Sequence, residues 1–540
     1  MKTNPIRYKR IALFAFLLLS LIGWLHRPAA WSVALAQGLA PAAPQTLFLP
    51  LIANSKPNPT ATAVPTTVPT TGATGMPTAL PTPVPTATPT PEEAQGGAWF
   101  MEPYTKTGGA DIQVDLQGGL HVAYRYHVPD TEGTAAAYLY CPPPSAQCAN
   151  MQQWQPVKLL NLVREVQLEL NANGQPRLLI QTNSAQYPGG GEDYHYAECD
   201  QNCNDPQQWR TTLVATRFGD ISSGISSYYL PERYFALDPQ GRPRFVYNDR
   251  NYVIEPDHYG AFYLWCDANC TEQANWQEVR ISQEIKGDYI YDYEIFSFPA
   301  LTFTKAGAPR LVGDLIPLAG ADGERNTGIY YFACDAGCEN SESWQRVKIA
   351  DRGQGPFPMW DVALDGNDRP RVAFYKEDTL DDESGKRLHY LQCDSDCLTA
   401  TNWQMLNLGL PREAGDGADL ALDANGRPRI AYLDGSYDLG YSWCNGDCLQ
   451  LANWQHGWAD SNDGLEAEYP VARPLTCDAG LWRTHSPAMS LDTAGNPRIA
   501  YDASYKGRCL YQDPNKPGQT YYEFIEIWHA VRVIFFGQPE

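Results

Sequence analysis

Seven aspartates in this chain stand where they could converge on one mouth. Four residues ahead of a recurring Asp-x-x-Gly turn lie Asp111, Asp361 and Asp419, with Gln167 and Tyr234 in the equivalent places. At the far ends of the segments that follow the turn lie Asp249, Asp314, Asp434 and Asp502. Carboxylates crowded together repel one another. A bound cation relieves that cost, or one carboxyl keeps its proton and works as an acid beside a basic partner. Calcium held by Asp361, Asp419 and Asp434 is the sharpest form of this expectation, although each Asp could equally cap a loop or pair with a nearby Arg. Tyr234, Tyr289 and Tyr291, with Tyr228, Tyr229 and Tyr293 beside them, are amphipathic rings suited to stacking on sugars, or to packing long loops. No P-loop, dinucleotide-binding glycine turn or HExxH motif is present.

The elements that must position these residues repeat. The copy from Asp419 to Trp454 reads as three short strands and the start of a fourth. Leu420 to Leu422 is the first, Asp423 to Gly426 a turn, Pro428 to Tyr432 the second, Leu439 to Cys444 the third, and Trp454 opens the fourth. The turn recurs from Asp115, Asn171, Asp238, Thr304, Asp365, Asp423 and Asp492, at intervals of about 55 to 70 residues. Cysteine pairs recur at 141/148, 199/203, 266/270, 334/338, 393/397 and 444/448, and a Trp follows each second Cys by six residues. The seventh copy lacks the pair, but Trp528 to Val533 matches the fourth strand.

Seven units of four strands give an all-β, seven-bladed β-propeller of antiparallel blades over residues 97–540. A β-solenoid is the competing architecture. In the first strand, large apolar side chains flank a small one, as in Leu420-Ala421-Leu422 and Met489-Ser490-Leu491. This suits sheets wedged between two neighbours near an axis. Within a blade, the Asp turns and Cys hairpins fall on one face and are nearly uniform. The connections from strand two to three and from blade to blade fall on the other and differ in every copy. A binding site belongs on that variable face.

The composition points outside the cell. The formal charge is −22, which repels nucleic acid and anionic membranes. Residues 1–36 read as a cleaved signal peptide: a basic start (Lys2 to Arg10), an apolar run (Ile11 to Leu25) shorter than the ~20 residues a spanning helix needs, and Ala34-Leu35-Ala36. Residues 37–96 read as a Pro/Thr-rich disordered linker that acts as an extended stalk. No later stretch is apolar enough to span a bilayer. Fourteen cysteines in an exported chain imply the disulfides Cys141–Cys148, Cys199–Cys203, Cys266–Cys270, Cys334–Cys338, Cys393–Cys397 and Cys444–Cys448, with Cys477–Cys509 the remaining pair. Zinc is the competing reading of C-x3-C, but the histidines do not accompany the pairs.

The unit LALDANGRPRIAY, followed by a Tyr-Ser-Trp strand, resembles the blades of secreted bacterial propellers of the sialidase-like and lectin-like families. The turn looks like a relaxed Asp-box, and the resemblance covers 97–540 at the level of blade pattern. Those sialidases grip a carboxylate with an arginine trio. Here Arg177, Arg244, Arg310, Arg371, Arg429 and Arg498 occur once in each of six blades beside the turn, on the uniform face, so no trio transfers. The expectation is an exported, monomeric, non-catalytic binding module on a stalk, recognising a glycan or a surface protein. The alternative is a glycan-active hydrolase or lyase using carboxylates on the variable face.

Overall fold

The computed structural model describes residues 99–535, apart from 102–107, 128–132, 144–155, 187–190, 219–232, 251–258, 283–294, 317–327, 352–359, 378–385, 411–415, 469, 472–475, 479, 513–515 and 517–518. Residues 1–36 and 37–96, expected as a signal peptide and a linker, lie outside the described residues. Seven four-stranded antiparallel sheets form, each with its strands in sequence order for blades one to six. These six cover 108–161, 163–218, 235–280, 295–350, 360–407 and 416–460. The chain is a seven-bladed propeller. Among the described residues no helix is long and apolar enough to cross a membrane.

The seventh blade corrects one expectation. Its order from the inside is Leu481–Leu491, Pro497–Gln512, Thr520–Phe535 and then Trp99–Met101. Trp528 therefore sits in the third strand, not the outermost. The outermost strand comes from the start of the domain, with Trp99 opposite Val533 and Met101 opposite Val531. The seventh copy has no Cys hairpin because no loop joins its third and fourth strands.

Strand alternation builds the core. In Pro428–Leu433 every residue is buried. Ile430 and Tyr432 pack with Leu388 and Tyr390 of blade five, while Ala431 and Leu433 pack with Met489, Ile499 and Tyr501 of blade seven. The same division gives one apolar cluster at each of the seven blade-to-blade junctions, the last joining blade seven to blade one through Val531, Val533, Ile112 and Val122. The core is thus a ring of apolar layers rather than one central mass.

Each repeated residue has a local reason. The turn Asp accepts backbone N–H groups two and four residues on, as Asp423 Oδ1 does from Asn425 (2.9 Å) and Arg427 (3.0 Å). The third position after it takes positive φ in all seven turns: glycine in six, Asp368 in blade five. The Arg that recurs six residues after the turn Asp ties that turn to the Cys hairpin. Arg371 donates to Asp365 Oδ2 (3.0 Å), the carbonyls of Pro370 and Cys393 (both 3.0 Å) and Asp394 (2.8 Å). The six-residue Cys-to-Trp spacing lets the indole donate to the second Cys carbonyl, as Trp403 Nε1 does to Cys397 (2.8 Å). That ring also meets Tyr331 of the preceding blade edge-on, with centroids 5.1 Å apart. Five local disulfides and Cys477–Cys509 form as expected. Cys141 is also disulfide-bonded, while Cys148 lies outside the described residues.

Candidate functional site

The inner aspartates reach the axis but serve first as staples between blades. Asp111 Oδ2 accepts the N–H of Leu168 in blade two (2.7 Å), Asp361 Oδ2 that of Leu420 in blade six (2.8 Å), and Asp419 Oδ2 that of Met489 in blade seven (2.5 Å). Gln167 does the same to Phe235 (3.0 Å). In each case the acceptor meets the next innermost strand, whose edge amide would otherwise be unpaired. Arg233, at the start of blade three, spans the channel. It pairs with Asp111 (2.9 Å) on one side and Asp419 on the other. Burial and then the Asp419 charge push Asp361 well above the usual carboxylate range, so it keeps its proton beside Asp419. Below them is a cavity of about 300 Å³ lined by Gln113, Glu169, Arg233, Asp361 and Asp419, with Phe235, Phe303 and Met489. Glu169 is only partly shielded there, yet its surroundings raise its pKa to about 8.

The trio named for calcium does not assemble. Asp361 and Asp419 meet at Arg233, whereas Asp434 Oδ1 caps a turn through the N–H groups of Ser436 (2.9 Å) and Asp438 (2.8 Å). The guanidinium supplies the positive charge that a cation was expected to bring. Among the described residues no group of three or more His, Cys, Asp or Glu is arranged to hold a metal ion. Asp249 is buried with Arg217 3.7 Å away, and Asp314 is fully buried. Tyr234 is a core residue, edge-on to Tyr194 at 6.3 Å, rather than an open platform. Tyr289 and Tyr291 lie outside the described residues.

A different constellation occupies the variable rim of blades seven, one and two. Asp502, on the second strand of blade seven, accepts the N–H of Gly109 in blade one (2.7 Å) through Oδ2. Its buried Oδ1 has no hydrogen-bond partner among the described residues. Burial raises its pKa to about 7 against the pull of the Gly109 amide and Arg125. Arg125 bridges onward, donating to the Arg164 carbonyl (3.2 Å) in blade two. Gly108 makes room for it: a Cβ there would come within 2.6 Å of Arg125 Nη2. Next to Arg164 is Glu165, whose Oε1 accepts from Gln167 (3.0 Å). Burial, helped by the Glu192 charge, raises Glu165 to about 8. Glu192 is itself held by Arg164 (2.6 Å) and the Tyr194 hydroxyl (3.1 Å).

Of this row only Asp502 was singled out in sequence. Glu165 and Glu192 belong to one copy each and align with no column. A signal was present: Glu165, Gln167 and Glu169 put three polar side chains on one face of an innermost strand, while Val166, Leu168 and Leu170 pack towards blade one.

No family model matches the chain, and no curated protein does. Among solved structures, it is similar to the Penicillium chrysogenum alpha-L-arabinanase complexed with arabinobiose (12% identity, TM-score 0.41, covering 64% of this chain and 94% of that one). It is also similar to the Fusarium graminearum alpha-L-arabinofuranosidase Arb93A (9%, 0.39, 80% and 93%) and to a polysaccharide lyase described as an ulvan lyase (9%, 0.40, 80% and 97%). At these identities the likeness concerns the fold alone.

Proposed function

We propose that this chain is an exported glycan-active enzyme, a hydrolase or lyase, working by acid–base chemistry on the variable rim. One observation carries the reading. Two buried carboxyls from different blades hold protons near neutrality, Asp502 at about 7 beside Arg125 and Glu165 at about 8 in the residue after Arg164, whose carbonyl Arg125 holds. In hydrolysis Glu165 gives its proton to the glycosidic oxygen as the bond from that oxygen to the anomeric carbon breaks, while Asp502 takes a proton from the water that attacks this carbon. In an elimination Asp502 takes instead the proton on the ring carbon next to a uronate carboxyl, the bond from the adjacent ring carbon to the glycosidic oxygen breaks as the ring double bond forms, and Glu165 protonates the leaving oxygen. Burial, helped by the charge of Glu192 fixed by Arg164, keeps Glu165 protonated. Six disulfides among the described residues support an oxidising, extracytoplasmic setting. Export on 1–36 and display on the 37–96 stalk belong to the same proposal.

The test is product analysis on arabinan, ulvan, xylan and homogalacturonan, with Glu165→Gln and Asp502→Asn beside the wild type. Activity requires Asp502 ionised and Glu165 protonated, so the rate should peak between pH 7 and 8 and fall on both sides. New reducing ends would mark a hydrolase, and unsaturated ends a lyase. Binding without turnover by the wild type would return the protein to the recognition-module reading. Turnover that survives both substitutions would remove these residues from the chemistry.

A further inference from the structure

The second and third strands of blade seven each run for sixteen residues, Pro497–Gln512 and Thr520–Phe535, where the second strands of the other blades run for six to eight. Their outer ends form a ribbon beyond the variable rim. Arg508 stands opposite Phe524, Leu510 opposite Tyr522 and Tyr511 opposite Tyr521. Directly opposed residues share a face, so Arg508, Leu510, Tyr522 and Phe524 make one surface. Phe524 is 70% exposed and Tyr522 51%. The Arg508 guanidinium lies over the Tyr522 ring at 4.1 Å. The ribbon is braced. Cys509 is buried and bonded to Cys477, and the 476–478 segment adds backbone hydrogen bonds from Leu510 to Thr476 and from Asp478 to Arg508 (both 2.8 Å).

We infer that this braced aromatic face is a docking platform for a polysaccharide chain, which it holds across the rim beside Asp502. The inference rests on the glycan-active reading and names its substrate as a polymer. Asp502 lies on the same strand as Arg508 and Leu510, and the even-numbered positions share one side of it. That side meets Gly109 of blade one at Asp502 and continues outward as the aromatic face. From Asp502 to Leu510 the strand extends roughly 27 Å, at ~3.4 Å per residue. A disaccharide at the carboxyls does not cover that span, and a polymer does. The rings also fit this occupant. Tyr522 and Phe524 are neighbours on this face, flanked across the ladder by Arg508 and at the outer end by Gln512 and Thr520, so a sugar can meet the rings with its C–H face and the polar neighbours with its hydroxyls.

The experiment uses the full chain with Tyr522→Ala and Phe524→Ala combined. Both side chains are exposed, and unchanged melting and intact disulfides check the fold. Retention is measured by affinity electrophoresis in gels containing the four polysaccharides named above, and turnover on each polymer and on its trisaccharide. The wild type should be retarded by at least one polymer. The double variant should bind that polymer about tenfold more weakly and leave trisaccharide turnover unchanged. No retardation of the wild type by any of the four, or equal retardation of the variant, would overturn the platform. So would a wild-type dimer that the variant converts to monomer, since the face would then join two copies. Equal retardation with normal turnover removes the platform alone. Ring-dependent retention without turnover removes the enzyme reading alone.

Discussion

Replacing Glu165 by Gln should stabilise the protein at high pH and leave it nearly unchanged in acid. Gln keeps the acceptor for Gln167 Nε2, 3.0 Å away, and cannot ionise beside Glu192. In the unfolded chain a glutamate releases its proton near 4.5, whereas in the fold Glu165 holds it to about 8. Its folded state thus binds the proton more tightly. The associated stability is fully present below 4.5 and is lost as pH rises through 8. A gap of that size, at ~1.4 kcal/mol per pH unit, corresponds to at most ~5 kcal/mol. Rim relaxation and entry of water bring the expectation to ~2–5 kcal/mol. Guanidinium unfolding followed by tryptophan fluorescence at pH 4 and pH 9 measures it. The variant should match the wild type at pH 4 and exceed it by that amount at pH 9. An equal difference at both pH values would mean that Glu165 titrates as an exposed glutamate, and the acid assigned to the rim would be lost.

Arg233→Met should cost ~3–5 kcal/mol at pH 8, since Asp111 and Asp419 lose their shared partner while still buried. The loss should shrink as pH falls, since burial favours the protonated Asp111 carboxyl; a pH-independent deficit would contradict the electrostatic account. Trp403→Phe removes the 2.8 Å indole bond to Cys397 and should lower stability by ~1–2 kcal/mol, read as a shift in the unfolding midpoint. Arg371→Ala removes one of the two guanidinium partners of Asp365, which keeps Arg369 at 2.7 Å, and frees the Cys393 carbonyl; it should cost ~1–3 kcal/mol while leaving any glycan turnover intact. Loss of activity in a variant that still folds would place function on the uniform face.

The architecture was legible because each repeated residue answers to a local contact. Trp403 needs six residues from Cys397 to reach its carbonyl, and Asp423 needs Gly426 where φ turns positive. What escaped were partners from other blades. Trp528 looked like a fourth strand because a local pattern carries no trace of a strand supplied from over four hundred residues away. Asp361 and Asp419 stand on neighbouring inner strands, and sequence could not show Arg233 arriving from blade three beside them. Asp434 was expected beside them, yet the two amides of its own turn claim it. Glu165 and Glu192 gain meaning only when the two strands of blade two stand within one sheet beside Arg164.

The outermost strand of blade seven has a mechanical consequence. Trp99–Met101 is the segment through which any pull from the preceding residues enters the propeller, and among the described residues its ladder spans three residue pairs. Neighbouring ladders in the same blade are far longer, running from Arg498–Phe535 to Gln512–Thr520. A pull on the residues before Trp99 would act first on these three pairs, ahead of the longer ladders behind them in blade seven.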